Sequence, residues 1–152
     1  MNAGRIALLL GLVALALILG ALGFEYLAGF APCEMCMWQR WPLYAAIVAG
    51  IGGSFLPGRD ARWPARAAIV LVAISGAVGF YQAGVEWHYF PGPEACTGTF
   101  HPFTGLADLN APGAVRCDVA AWRLFGISLA GYNAIVSLGS AFAGLIMLAR
   151  AK

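Results

Sequence analysis

The sequence predicts an all-α membrane protein: a four-transmembrane-helix bundle with one long polar loop between helices 3 and 4. Composition is the first reason. Of 152 residues, 61% are hydrophobic and 11% charged, where soluble domains carry about 25% charged residues. The second is spacing, since four apolar stretches follow one another with short links except before the last. The third is charge, which gathers on alternate sides of those stretches. So apolar a chain is expected to have membrane lipid around it and no nucleic acid as a partner.

The spans are placed at about 6–24, 36–56, 67–87 and 123–149, with outer loops at about 25–35 and 88–122, in a single integral membrane domain over 1–152. Arg5 before the first apolar run gives it the look of a secretion signal. The run exceeds the 7 to 15 residues usual for such a signal, roughly the h-region length, and three spans follow, so it is read as a retained helix. The second apolar run, Trp41 to Leu56, holds only 16 residues, roughly 24 Å of helix against a hydrocarbon core about 30 Å thick. It reaches across only if its helix begins near Cys36. The third and fourth runs are long enough as they stand.

Orientation follows from the positive charges. Arg5, Arg59, Arg62, Arg66, Arg150 and Lys152 make up six of the nine basic residues, and in a four-span chain all six fall on one side. Basic residues stay in the cytoplasm, so both termini are placed there. Every cysteine then lies on the outer side, which in a bacterium is the periplasm, where disulfides persist.

Those four cysteines form two pairs. Cys33 and Cys36 enclose Glu34-Met35 at the mouth of the second span, and Cys96 and Cys117 bracket the polar loop. An even count divided in this way points to dithiol and disulfide chemistry. Three-residue spacing at a helix start brings two Cβ atoms close to disulfide range, and the unpaired N–H groups there favour a thiolate. Arg40, one turn beyond Cys36, adds a fixed positive charge. A guanidinium at membrane depth is costly and is by default a functional residue. The structural alternative for Arg40 is an interfacial anchor beside Trp38 and Trp41, with Pro42 marking the true helix start.

Pro91, Pro93, Pro102 and Pro112 keep the long loop irregular. A disulfide between Cys96 and Cys117 would close 20 intervening residues, worth about 3 kcal/mol as a plain staple. The same exposed bond is open to attack by a soluble thiol, and the two readings stand side by side. Phe103, Leu106 and Leu109 form an apolar patch able to rest on the membrane surface.

The segment Pro32-Cys33-Glu34-Met35-Cys36-Met37-Trp38-Gln39-Arg40 resembles the PCxxCxxxR region of the DsbB family, the membrane quinone-dependent thiol oxidoreductases. Pro91-Gly92-Pro93-Glu94-Ala95-Cys96, Arg116-Cys117-Asp118 and the stretch from Trp122 to Asn133 are similar to that family's second pair and fourth helix. The resemblance implies a bacterial inner-membrane protein-disulfide-generating oxidoreductase. Cys96 and Cys117 would exchange with a periplasmic DsbA-like dithiol, with Cys96 forming the mixed disulfide. Cys33 and Cys36 would pass the electrons to the membrane quinone pool, ubiquinone or menaquinone. Cys36 would engage the ring, and Arg40 would polarise it.

On the third helix the resemblance implies further quinone contacts, with Glu86 and His88 in the neighbourhood and no motif to fix their register. His88, between Trp87 and Tyr89, reads as interfacial, and His101 as solvated. Asn133 falls near the bilayer midplane, where a helix-to-helix hydrogen bond is expected, and Ala130, Ala134, Ser140 and Gly144 have the small-residue spacing of a packing seam. Three other readings remain. A vitamin K epoxide reductase-like oxidoreductase ranks below because its quinone-side CxxC falls late in the chain. A non-enzymatic protein stapled by disulfides would keep its cysteines for stability alone. A four-cysteine zinc site is opposed by the wide Cys96 to Cys117 gap, so no metal is expected.

Overall fold

The computed structural model describes residues 2–57, 60–93 and 116–151. Cys96, His101 and the Phe103, Leu106, Leu109 patch lie outside the described residues.

Four long helices make up most of what is described. Helix α1, Ala3–Tyr26, starts on Asn2, whose side-chain oxygen accepts from Arg5 N at 3.0 Å. Helix α2, Glu34–Gly53, starts on Cys33, and α3 is Arg62–Glu86. A two-residue antiparallel ladder, β1 (Arg123–Leu124) and β2 (Ile127–Ser128), precedes α4, Leu129–Arg150. Three of the four (α1, α3 and α4) are long and apolar enough to cross a membrane. Helix α2 has 20 residues, roughly 30 Å at 1.5 Å per residue, but carries Glu34, Gln39 and Arg40 in its first two turns.

The boundaries differ from the sequence reading where local chemistry outweighs the apolar run. Helix α2 starts two residues before Cys36, and Pro42 lies inside it, so Pro42 does not mark the helix start. Helix α3 reaches back to Arg62, with Pro64 in its first turn, where a missing N–H costs nothing. The fourth helix begins at Leu129 rather than 123. Phe125 and Gly126 both take positive φ, 50° and 80°, as a two-residue hairpin turn requires. Ser128 then caps the helix, its hydroxyl accepting from Gly131 N at 3.2 Å.

Close packing is set by small residues. A side chain at Gly50 would bring a Cβ within 2.6 Å of Ala7 O and of the Gly11 backbone, so α1 and α2 meet there almost backbone to backbone. Helix α4 turns a face of Ala130, Ala134, Ser137, Ala141 and Gly144 inward; Ser137 and Ala141 take the place expected of Ser140. The end bearing Asn2 and Ser54 holds an apolar core of Ile6, Leu10, Ala46, Ala65, Ile69 and Val72. The other end holds the polar residues. Val48, Phe80, Phe142 and Leu145 face outward, 56% to 74% exposed, which suits lipid rather than water.

Candidate functional site

Cys33 sits at the N-cap of α2 in extended conformation, and its Sγ accepts from Cys36 N at 3.2 Å. A sulfur thus occupies the position of a capping oxygen, satisfying a donor that a helix start otherwise leaves free. Both thiols are free; Cys33 is buried and Cys36 partly exposed. Cys117 is disulfide-bonded and fully buried, packed in one cluster with Cys33, Met35 and Cys36. The structure therefore brings Cys117 of the long loop onto the CxxC of α2. Arg116 and Asp118 on either side of it form an ion pair at 2.5 Å, and that guanidinium holds the Asp118 carboxyl below the usual range.

Below the sulfurs runs a buried chain of amides. Gln82 Nε2 on α3 reaches Cys33 Sγ at 3.4 Å, Cys36 Sγ at 3.6 Å and Glu86 Oε1 at 3.2 Å. Its carbonyl accepts from Gln39 Nε2 at 2.6 Å, and Gln39 Oε1 accepts from Asn133 Nδ2 at 2.7 Å. Asn133 also donates to the backbone and hydroxyl oxygens of Ser75 and accepts from Ser137 Oγ at 2.9 Å. Asn133 thus bonds from helix to helix, joining α4 to α2 and α3. Gly79 makes the room, since a Cβ there would lie 3.0 Å from Gln39 Oε1 and 2.9 Å from Ala130 O.

Arg40 is 8% exposed and paired with Glu25 of α1 at 2.5 Å. That burial does not fit an interfacial anchor, whereas Trp38 and Trp41 beside it do face outward. His88 is exposed, and its φ of 60° belongs to the left-handed turn that ends α3, with Tyr89 N bonded back to Gly84 O at 2.8 Å.

A cavity of about 250 Å³ opens between these groups. Cys36, Arg40, Gln39, Gln82 and Glu86 give it a polar wall, and Leu17, Gly20 and Phe24 of α1 an apolar one. An apolar cavity of about 150 Å³ takes a benzene ring, so this one takes a single substituted ring. Phe24 and Trp122 meet at one side with ring centroids 5.0 Å apart.

Glu25, Gln39 and Gln82 are site residues that the sequence reading missed. Gln82 had a signal, an amide deep in an apolar span. Glu25 had none, because its pairing with Arg40 crosses a loop.

These features define a multi-pass membrane helical bundle with two neighbouring cysteine thiols beside a small, mostly apolar pocket. The DsbB family, disulfide bond formation protein DsbB, matches over residues 3–147, and the chain belongs to that family, as the PCxxCxxxR resemblance implied. Among its relatives, disulfide bond formation protein B of Aromatoleum aromaticum is 30% identical, covering 96% of this chain and 93% of that one. Those of Polaromonas sp., at 27% identity over 96% and 90%, and of Actinobacillus pleuropneumoniae, at 30% over 80% and 72%, are also similar. No solved structure gives a significant match. The chain is thus a membrane thiol oxidoreductase of disulfide-bond formation.

Proposed function

We propose that the protein reoxidises a periplasmic DsbA-like dithiol protein and passes the electrons to a membrane quinone. The observation that carries this reading is the burial of Cys117 against Cys33 at the head of a ring-sized pocket that also receives Cys36 and Arg40. In this reading α2 is a fourth span, both termini are cytoplasmic and both cysteine pairs periplasmic, an orientation supported by the six basic residues at the termini and between the second and third apolar runs.

The donor dithiol attacks the loop disulfide of Cys96 and Cys117 and leaves oxidised, with the two loop cysteines reduced. Their thiols then reduce the Cys33–Cys36 disulfide by a second exchange, for which contact between the pairs is the geometric requirement. A bound quinone supplies the terminal oxidation, taking two electrons and two protons, and this pull is needed because a DsbA-type disulfide is itself oxidising, at about −120 mV.

The residues present fit such a ring. Cys36, the more exposed of the two thiols, faces the pocket. Arg40 supplies hydrogen-bond donors that never lose their charge, oriented by Glu25. The Leu17, Gly20 and Phe24 wall excludes water and accepts an apolar ring and its tail.

The test is anaerobic mixing of purified protein with a reduced DsbA-like dithiol and a soluble ubiquinone analogue, following loss of quinone absorbance. Wild type should turn over and Cys36→Ser should not. No turnover by folded wild type, with a menaquinone analogue as well, would leave the stapled non-enzymatic reading.

A further inference from the structure

The Glu86 carboxyl has the Ser128 side chain beside it as a hydrogen-bonding neighbour and Arg123 acting on it by charge, while its Oε2 is a buried polar atom with no partner in full hydrogen-bond geometry among the described residues. The side chain is 6% exposed and is the one carboxyl among the described residues lining the pocket. A single amide, that of Gln82, donates to its other oxygen and to both sulfurs of the CxxC. A carboxyl that lines the cavity and is tied through one amide to both thiols of the CxxC is an arrangement that packing does not require.

We propose that Glu86 is the proton-transfer group of this pocket, passing the protons of the Cys33 and Cys36 thiols to the reduced quinone. This inference rests on the quinone reading above. Oxidation of the dithiol breaks two S–H bonds, forms one S–S bond and releases two electrons and two protons. Reduction of the quinone takes both electrons and forms two O–H bonds. In a low-dielectric pocket the electrons cannot arrive without the protons, because uncompensated charge there is too costly. Glu86 gives its proton to one quinone oxygen and regains one from a thiol, then repeats the transfer with the second thiol and the second quinone oxygen, so both protons are delivered and the carboxyl ends each turnover unchanged.

The other lining groups do not serve. Arg40 does not release its proton, and the amides of Gln39, Gln82 and Asn133 orient their neighbours without carrying protons. The Tyr132 hydroxyl is committed to Leu124 O at 3.0 Å. Gln82 is thus a positioning residue, holding the carboxyl in register with the sulfurs.

The experiment uses full-length protein reduced with dithiothreitol, desalted anaerobically and mixed with a short-chain ubiquinone analogue. Glu86→Gln, which keeps the shape and the bond from Gln82, should lower kcat for quinone reduction roughly 100-fold. KM should change less than about threefold, as for a group that acts after binding. Exchange with the dithiol partner should slow far less than quinone reduction does. A second readout needs no quinone: the reduced-minus-oxidised infrared difference spectrum should contain a carboxyl band that disappears in Glu86→Gln. If Glu86→Gln does not fold, Glu86→Asp decides, by displacing that band and lowering kcat. Wild-type kcat in the variant with an unchanged infrared spectrum overturns the inference alone. Failure of wild type to reduce either a ubiquinone or a menaquinone analogue overturns the quinone reading beneath it.

Discussion

The two halves of this bundle solve different problems with the same four helices. Around Ile6, Leu10, Ala46, Ala65 and Ile69 the interior is apolar and helix contact depends on small residues such as Gly11 and Gly50. Around Cys33 the interior holds Gln39, Arg40, Gln82, Glu86 and, on the way down, Ser75 and Ser137. Lipid-embedded helices need packing to associate and do not need buried charge. The apolar half therefore shows what holding the bundle together requires, and the polar residues of the other half are the excess that chemistry demands.

The largest effect that separates the halves is expected at Cys36. Cys36→Ser should abolish quinone reduction while the melting temperature in detergent stays near that of wild type. A loss of folding comparable to the loss of turnover would make the cysteine structural.

Arg40 comes next. Arg40→Ala should slow quinone reduction more than dithiol exchange, and it should also destabilise the fold by about 2 kcal/mol, because Glu25 is left half-buried and unpaired. The double variant Glu25→Gln, Arg40→Gln should recover most of that stability and none of the quinone rate. Thermal melts and the two half-reactions, compared as a double-mutant cycle, separate the ion pair's role in folding from its role in the pocket.

Glycine substitutions bear on the comparison from the packing side. Gly50→Val, in the apolar half, should cost about 1–3 kcal/mol through overpacking, with activity per folded molecule unchanged. Gly79→Ala should cost less stability yet lower the quinone rate, because its methyl group pushes on the bond between Gln39 and Asn133. Equal effects of both on specific activity would erase the distinction between the halves.

The smallest effect is expected at the loop. Asp118 is held below its ordinary range by Arg116, so this pair stabilises the fold above the unfolded aspartate range, and the contribution is lost as pH falls through the depressed folded value. A small acid-dependent drop in melting temperature should be present in wild type and absent in Asp118→Asn.

The membrane class was legible in composition and run length, which depend on no partner. The family was legible because Cys33, Cys36 and Arg40 are close in sequence and the loop pair follows in order. The start of α4 was not, because the apolar run continues through Leu124 and Phe125 while the turn at Gly126 and the cap at Ser128 decide where helix begins. The amide chain was hidden for another reason. Gln39, Gln82 and Asn133 are 43 and 51 residues apart, and only the register of α2, α3 and α4 brings them together. Cys117 likewise reaches Cys33 through tertiary packing that no spacing encodes.

Photolabelling decides whether the polar half of the bundle receives the quinone. Oxidised protein would be irradiated with an azido-quinone analogue and the labelled peptides mapped, with unlabelled quinone as competitor. Competed label on the inner face of α1 near Leu17 to Phe24 and near Cys36 to Arg40 is the predicted result. Competed label confined to the opposite half, near Asn2 to Leu8 and Ser54 to Ala61, would contradict it.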